Sequence, residues 1–287
     1  MKIDRVSIEP SRRCSKGCAF CYNGSRPDGD GEWSAGELVR FGLDLAANGV
    51  QALSLGGGEP LEWAGLFDVL AGLRGRLLRS LTTNGLPLRD PATLERLVLA
   101  RPDKCHVSVH SPGSEAEVTR AIATVRALEA HGIPSGVNLL VARSRLDAAA
   151  AASRRLRDAG IANDRIVYLP MRGEDTPSPA AIAAIAGGPF QSMSCLRACG
   201  KSERFASIAA DRSVAWCSYT RARRRLDGLT HGALVRALDG LGLDPCDGGA
   251  LVRLGAHPLD RERRGGSSVT GEVGNERADV EDTGVIA

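Results

Sequence analysis

The sequence lacks any segment that would carry the chain into or across a membrane. Its start has no basic stretch followed by an apolar one, and no apolar run approaches the roughly 18 residues of a transmembrane helix. It also lacks an excess of one charge, because 37 Lys and Arg stand against 34 Asp and Glu. So small a surplus does not indicate nucleic acid or a membrane surface as a partner. We expect a cytoplasmic protein with neither partner.

Aromatic residues are scarce, at 4% of the chain, although 43% of the residues are hydrophobic. The core must then consist mostly of Ala, Leu and Val, which is typical of helices packed on parallel strands. In a reducing cytoplasm, the eight cysteines favour metal ligands, catalytic groups or core residues over disulfides.

Short apolar or β-branched runs alternate with longer helical patterns from residue 2 to residue 171. The runs predict strands at residues 2–10, 50–57, 77–85, 105–111, 136–142 and 165–171. The intervening patterns predict five helices, with Ser34 and Asp90 as two of the N-caps. Strict alternation of this kind favours right-handed βαβ units and a parallel sheet, either a partial barrel or an open sheet.

The repeat stops near residue 187, and this predicts three regions. Residues 1–186 form the α/β unit, and residues 187–256 form a small extension that contains cysteines and a hairpin turning at Asp211 and Arg212. Residues 257–287 are rich in charge, Gly and Ser, so we expect a largely disordered tail.

Three cysteines, Cys14, Cys18 and Cys21, lie within eight residues directly after the first predicted strand. Thiolates suit iron-sulfur clusters and zinc, and a structural zinc site would need a fourth ligand. None is nearby, because the histidines are His106, His110, His131, His231 and His257. A cluster with one open iron, a zinc site completed by a distant residue, and structural cysteines are the three interpretations.

The spacing Cys14-x3-Cys18-x2-Cys21, with Phe20 before the last cysteine, resembles the signature of the radical S-adenosylmethionine (radical SAM) enzymes. The resemblance implies a partial (β/α)6 TIM barrel and a [4Fe-4S] cluster on these three cysteines. It further implies that S-adenosylmethionine chelates the fourth iron and is cleaved reductively to a 5′-deoxyadenosyl radical.

The resemblance extends to the cofactor site. The segment "GGGEP" at 56–60 is similar to the segment that receives the methionine ammonium, which implicates Gly57, Gly58 and Glu59. The remaining cofactor-binding residues that it implies are Phe20, Ser108, His110, Asn138, Arg143, Leu169 and Met171. Simpler roles stay open for some of them: a turn for the glycines, a strand end for His110 and an exposed surface for Arg143.

A second group of cysteines, Cys195, Cys199, Cys217 and Cys246, resembles the C-terminal auxiliary-cluster modules called Twitch and SPASM. Too few cysteines remain for a full SPASM module, so the resemblance implies one further cluster. Buried or zinc-bound cysteines are the alternative. Cys105, at the start of the fourth strand, is predicted to be a core residue.

The sequence thus predicts a radical SAM oxidoreductase or maturase that abstracts hydrogen from a natural-product-type substrate. Net oxidation, epimerisation or cross-linking, assisted by the auxiliary cluster, are the expected outcomes, and no catalytic hydrogen donor or base is assigned. Its partners would be a small molecule or peptide and an electron donor such as flavodoxin or ferredoxin. The alternatives are a peptide (RiPP) maturase acting with a separate recognition partner, and a non-catalytic iron-sulfur or zinc scaffold.

Overall fold

Ten strands form one sheet in the computed structural model, which describes residues 2–193 and 202–244. The first six are β1 (Arg5–Ile8), β2 (Ala52–Leu55), β3 (Leu78–Thr83), β4 (Lys104–Val109), β5 (Ser135–Val141) and β6 (Ile166–Pro170). They pair in chain order, and every pair is parallel. The sheet does not close, so the predicted partial α/β barrel is confirmed.

Helices join these strands and cover one face of the sheet. They are α1 (Ala35–Ala47), α2 (Leu66–Gly72), α3 (Pro91–Ala100), α4 (Glu115–Ala130), α5 (Leu146–Asp158) and α6 (Pro179–Ala186), and α7 (His231–Leu238) follows near the end. The predicted N-caps are present: Ser34 forms a capping box with Glu37, and Asp90 accepts hydrogen bonds from the first turn of α3. None of the helices in these two described ranges is long and apolar enough to span a membrane.

Alternate residues of each strand face opposite sides of the sheet, and the two sides differ in polarity. One set packs into the aliphatic core beneath the helices, as Leu53 and Val107 do. The other set faces the barrel interior and is largely polar. Ser7, Ser54 and Ser80 are register partners there, and the last two share a hydrogen bond of 2.6 Å. A polar interior suits a barrel that opens onto a binding site.

The C-terminal region continues the same sheet on both edges. It contributes β7 (Gln191–Ser192), β8 (Phe205–Ile208), β9 (Ser213–Ala215) and β10 (Arg224–Arg225). Strand β7 pairs with β6, and β8 pairs in parallel with β1 on its other side. The predicted hairpin is confirmed, since β8 and β9 are antiparallel and Arg212 takes the left-handed conformation in the turn, with φ 61°.

Candidate functional site

A cavity of about 370 Å³ opens where the barrel strands end at their carboxyl termini. The predicted residues that line it are Cys14, Cys18, Phe20, Cys21, Gly57, Gly58, Glu59, Ser108, His110, Asn138, Leu169 and Met171. This is the edge at which parallel barrels collect their functional groups. Arg143 is different: it is exposed, in a short 3₁₀ turn after β5, and does not line the cavity.

The cysteine loop and the glycine segment interlock through their backbones. Gly58 N–H donates to the carbonyl of Ser11 at 2.8 Å, and Glu59 N–H donates to that of Arg13 at 2.7 Å. A Cβ atom on Gly58 would lie 2.1 Å from the Arg13 carbonyl oxygen. Gly57 has φ 94°, and a Cβ there would lie 2.6 Å from Cβ of Glu9. These glycines are therefore required for docking the cysteine loop.

The three cysteines of this loop are free and half-buried. Burial raises the pKa of the Cys14 and Cys18 thiols, and the Lys16 ammonium opposes this rise at Cys18. Soft thiolates around one cavity fit an iron-sulfur cluster. No three His, Cys, Asp or Glu side chains of the described residues converge on a point where one metal ion would fit. That spread suits a cluster, whose cysteines bind different irons, better than a single ion.

Glu59 is 2% exposed and ties the glycine segment to the end of β3. Its carboxylate accepts hydrogen bonds from Thr83 Oγ1 and from Asn84 N–H, both at 2.7 Å. Burial raises the pKa of Glu59 to about 7, and the hydrogen bonds from Asn84 and Thr83 limit the rise. Asn84 also has the capping role considered for it, because its Oδ1 accepts from Leu86 N–H at 2.8 Å.

Two histidines of β4 and the loop after it point into the barrel. His106 Nδ1 lies 2.8 Å from Asn138 Oδ1, and since an amide oxygen only accepts, the imidazole donates. His110 lies higher, at the cavity, and its Nδ1 is 3.1 Å from Lys16 Nζ. Burial is the first cause that lowers the pKa of each histidine to about 4. Both rings are thus neutral at pH 7.

Sequence reasoning missed Lys16 and Glu117, which form an ion pair of 2.5 Å beside the cavity. Lys16 stands inside the cysteine motif, where any residue type is compatible with the spacing. Glu117 follows Ser114 by three residues, a pattern typical of a capping box. Its side chain instead accepts from the backbone N–H of His110 at 2.6 Å. No sequence signal separates these two uses of the same glutamate.

A wall of aromatic side chains and one cation was also missed. The Tyr22 and Tyr219 rings lie 4.8 Å apart, and the Arg172 guanidinium lies 4.9 Å from the centre of the Tyr219 ring. Tyr22 is fixed by its hydroxyl, which donates to buried Glu9 at 2.8 Å. All but Glu9 line the cavity. The wall joins three distant parts of the chain, so no local pattern could have indicated it.

The second cysteine group is described only at Cys217, which is half-buried and whose Sγ accepts from Tyr219 N–H at 3.5 Å. Cys195, Cys199 and Cys246 lie outside the described residues, so the auxiliary cluster stays a prediction. Cys105 is fully buried in the core, as predicted.

Comparisons with known proteins agree with this geometry. The family described as "Radical SAM superfamily" matches residues 8–178, more than half of the chain. A "Probable GTP 3′,8-cyclase" of Methanopyrus kandleri is 33% identical over 91 residues, which cover 32% of this chain and 30% of that protein. Another, from Saccharolobus islandicus, is 32% identical over 142 residues, covering 48% and 44%. The chain thus spans less than half the length of these curated relatives.

Solved structures share the fold at low identity. Streptococcus suis SuiB bound to S-adenosylmethionine has a TM-score of 0.62 and 16% identity, covering 78% of this chain and 63% of that one. SuiB bound to the precursor peptide SuiA has a TM-score of 0.63 and 15% identity, covering 78% and 62%. The enzyme anSMEcpe with bound AdoMet has a TM-score of 0.60 and 13% identity, covering 81% and 80%.

Proposed function

This chain belongs to the radical SAM superfamily, and from that premise we propose that it cleaves S-adenosylmethionine reductively and abstracts hydrogen from a natural-product-type substrate. One observation carries the proposal: three free cysteines and the glycine segment interlock around a single cavity. Cys14, Cys18 and Cys21 would hold a [4Fe-4S] cluster. When bound, cluster and S-adenosylmethionine supply the electron and the radical, and the protein supplies binding and orientation.

The cofactor would lie between the glycine segment and the ends of β4 to β6. Glu59 faces the cavity and is the carboxylate for the methionine ammonium, because a nearby cation stabilises the charged form of a buried acid. Ser108, His110 and Asn138 are the polar groups on β4 and β5 for the methionine carboxylate or the ribose. Leu169 and Met171 offer backbone contacts to the adenine, and Phe20 offers an apolar surface. Arg143 would need a different side-chain conformation to take part.

The substrate would lie against the wall of Tyr22, Tyr219 and Arg172. These side chains line the cavity but are not among those that the family resemblance assigns to the cofactor. Stacked rings give a rigid apolar surface and exclude water, and a guanidinium over one ring can pair with an anionic group. Tyr219 stands two residues after Cys217, so an auxiliary cluster there would lie beside the substrate and could accept its electron in a net oxidation. Epimerisation and cross-linking are the other outcomes.

Assay of S-adenosylmethionine cleavage tests the proposal directly. Protein reconstituted anaerobically with iron and sulfide, then reduced with dithionite, should convert S-adenosylmethionine to 5′-deoxyadenosine and methionine. Cys18→Ala should abolish this product, whereas Cys105→Ala, which removes a core thiol, should retain it. A folded, iron-loaded wild type that forms no 5′-deoxyadenosine would instead support the scaffold interpretation.

Product formation also distinguishes small-molecule from peptide substrates. Substrate that reaches the cavity should raise the rate of 5′-deoxyadenosine formation above the background without substrate. Small carboxylates and amines can be compared with short peptides in this assay. Stimulation by a peptide only when a second protein is added would favour the maturase alternative.

A further inference from the structure

A lysine within the cysteine loop touches both a histidine and a carboxylate of the barrel. Lys16 stands between Cys14 and Cys18, and its side chain is only 14% exposed. Its Nζ lies 3.1 Å from His110 Nδ1 and 2.5 Å from Glu117 Oε1. The contacts join the loop after β1 to the start of α4, about 100 residues away in the sequence.

The lysine contact decides which nitrogen of His110 carries the proton. An ammonium group has donors only, so Nδ1 must be the acceptor, and the neutral ring then bears its proton on Nε2. The adjacent positive charge also disfavours a protonated imidazole. Among the residues that the structure describes, Nε2 has no hydrogen-bond partner, and His110 lines the cavity. The ring therefore offers the cavity an N–H donor.

Glu117 holds both the lysine and the histidine backbone. Besides the lysine, Oε1 accepts from the N–H groups of His110 at 2.6 Å and Ser111 at 3.3 Å. Arg120 approaches its other oxygen at 4.0 Å. The carboxylate supplies the counter-charge that a shielded ammonium needs. His110 is thereby fixed at two points, its backbone by Glu117 and its ring by Lys16.

We infer that Lys16 and Glu117 are positioning residues that hold His110 as a neutral Nε2–H donor to an acceptor oxygen of the cofactor in the cavity. The inference rests on the proposed function, because the acceptor would be a carboxylate or ribose oxygen of S-adenosylmethionine. The donor is set by a residue of the loop that also carries the cluster ligands. Correct folding of that loop and presentation of the donor are thus one event.

Nitrogen-15 NMR of the histidine side chains, in the metal-free protein, tests the geometry without any catalysis. His110 should be entirely the Nε2–H tautomer in the wild type, and Lys16→Met should release it to a mixture or to partial protonation at pH 6 to 7. Lys2→Met, an exposed lysine, is the matched control and should leave the His110 signals unchanged. An Nδ1–H tautomer in the wild type overturns the inference, as does an unchanged ring in Lys16→Met.

Cofactor affinity of the cluster-loaded protein tests the consequence. Calorimetric titration should show roughly tenfold weaker S-adenosylmethionine binding in Lys16→Met and in His110→Phe. The double variant should be no weaker than His110→Phe alone, because both changes remove the same donor. Lys16→Arg, which keeps a cationic donor, should recover part of the affinity, and iron content and melting temperature serve as structural controls.

The outcomes separate this inference from the proposed function. A wild type that neither binds nor cleaves S-adenosylmethionine overturns the proposed function and with it the cofactor role of His110. A wild type that cleaves it, together with unchanged affinity in Lys16→Met or additive losses in the double variant, overturns the positioning role alone.

Discussion

Single residues of this site serve two purposes at once, one structural and one chemical. Glu59 ties the glycine segment to β3 while its carboxyl group faces the cavity. Gly57 and Gly58 make room for the cysteine loop beside the segment proposed to bind methionine. Substitutions here therefore need readouts that separate folding from cofactor binding.

Glu59→Gln should change how stability depends on pH. The carboxyl pKa is about 7 in the folded chain and near 4.5 when exposed, so between these values the folded state binds more protons. Stability from this group is then complete below pH 4.5 and is lost as pH rises to about 7. The wild type should lose about 3 kcal/mol more than Glu59→Gln across this window. Urea unfolding of the cluster-free protein at each pH measures the difference.

An exposed glutamate provides the control for this experiment. Glu95→Gln, on the surface of α3, should follow the wild-type curve. Parallel curves for wild type and Glu59→Gln would show that Glu59 is ionised in the folded protein at pH 5.

Gly58→Ala should prevent cluster assembly, whereas Gly56→Ala should not. The new Cβ on Gly58 would overlap the Arg13 carbonyl, but a Cβ on Gly56 has no atom within 4 Å. Displacing Arg13 displaces Cys14, so iron bound after reconstitution should fall by the content of one cluster. Iron and sulfide analysis measures this, and equal iron in both variants would contradict the interlock.

At the level of secondary structure, local patterns carried most of the information. The six βα units and the caps at Ser34 and Asp90 were predictable because each depends on residues close in sequence. The same patterns placed every described cofactor residue except Arg143 at the cavity, since parallel strands end at one edge. The pairing of β8 with β1 was not predictable, because hydrogen bonds between strands about 200 residues apart leave no local signal. Contacts such as Lys16 with Glu117 have the same origin.

Ile208→Ala tests whether the hairpin of β8 and β9 folds together with the barrel. Ile208 is fully buried in β8 and pairs with Ile8 of β1. Its truncation should lower the free energy of unfolding by about 2–5 kcal/mol in a single transition. Leu99→Ala, at a side chain 70% exposed, should have little effect. A separate early transition in Ile208→Ala would mean that the extension unfolds independently, which would support the predicted boundary near residue 187.

For the whole molecule, the cysteines divide into two groups on different parts of the chain. The first group lies on the loop after β1, and Cys217 of the second lies after β9, two strands away in the sheet. Tyr22 and Tyr219, which follow these loops' cysteines, meet at the cavity. Two redox centres with a substrate between them would be compatible with this arrangement.

The triple variant Cys14, Cys18, Cys21→Ala should keep roughly one cluster, about four irons, if the second group binds its own. Iron and sulfide assays with Mössbauer spectroscopy measure the number and type of clusters. Cys217→Ala is the reciprocal variant and should keep the other cluster. A folded triple variant without iron would show that the second group is not an independent cluster site.

The position of β1 has a consequence for synthesis on the ribosome. This strand is emitted early, yet one of its two neighbours, β8, is translated only about 200 residues later. Until then the nascent barrel exposes the unpaired edge of the strand that leads into the cysteine loop, and such edges recruit other chains. Metal delivery before release would act on a half-finished sheet. Loading should therefore be most efficient after translation ends, and co-expression with chaperones should raise the yield of soluble apoprotein.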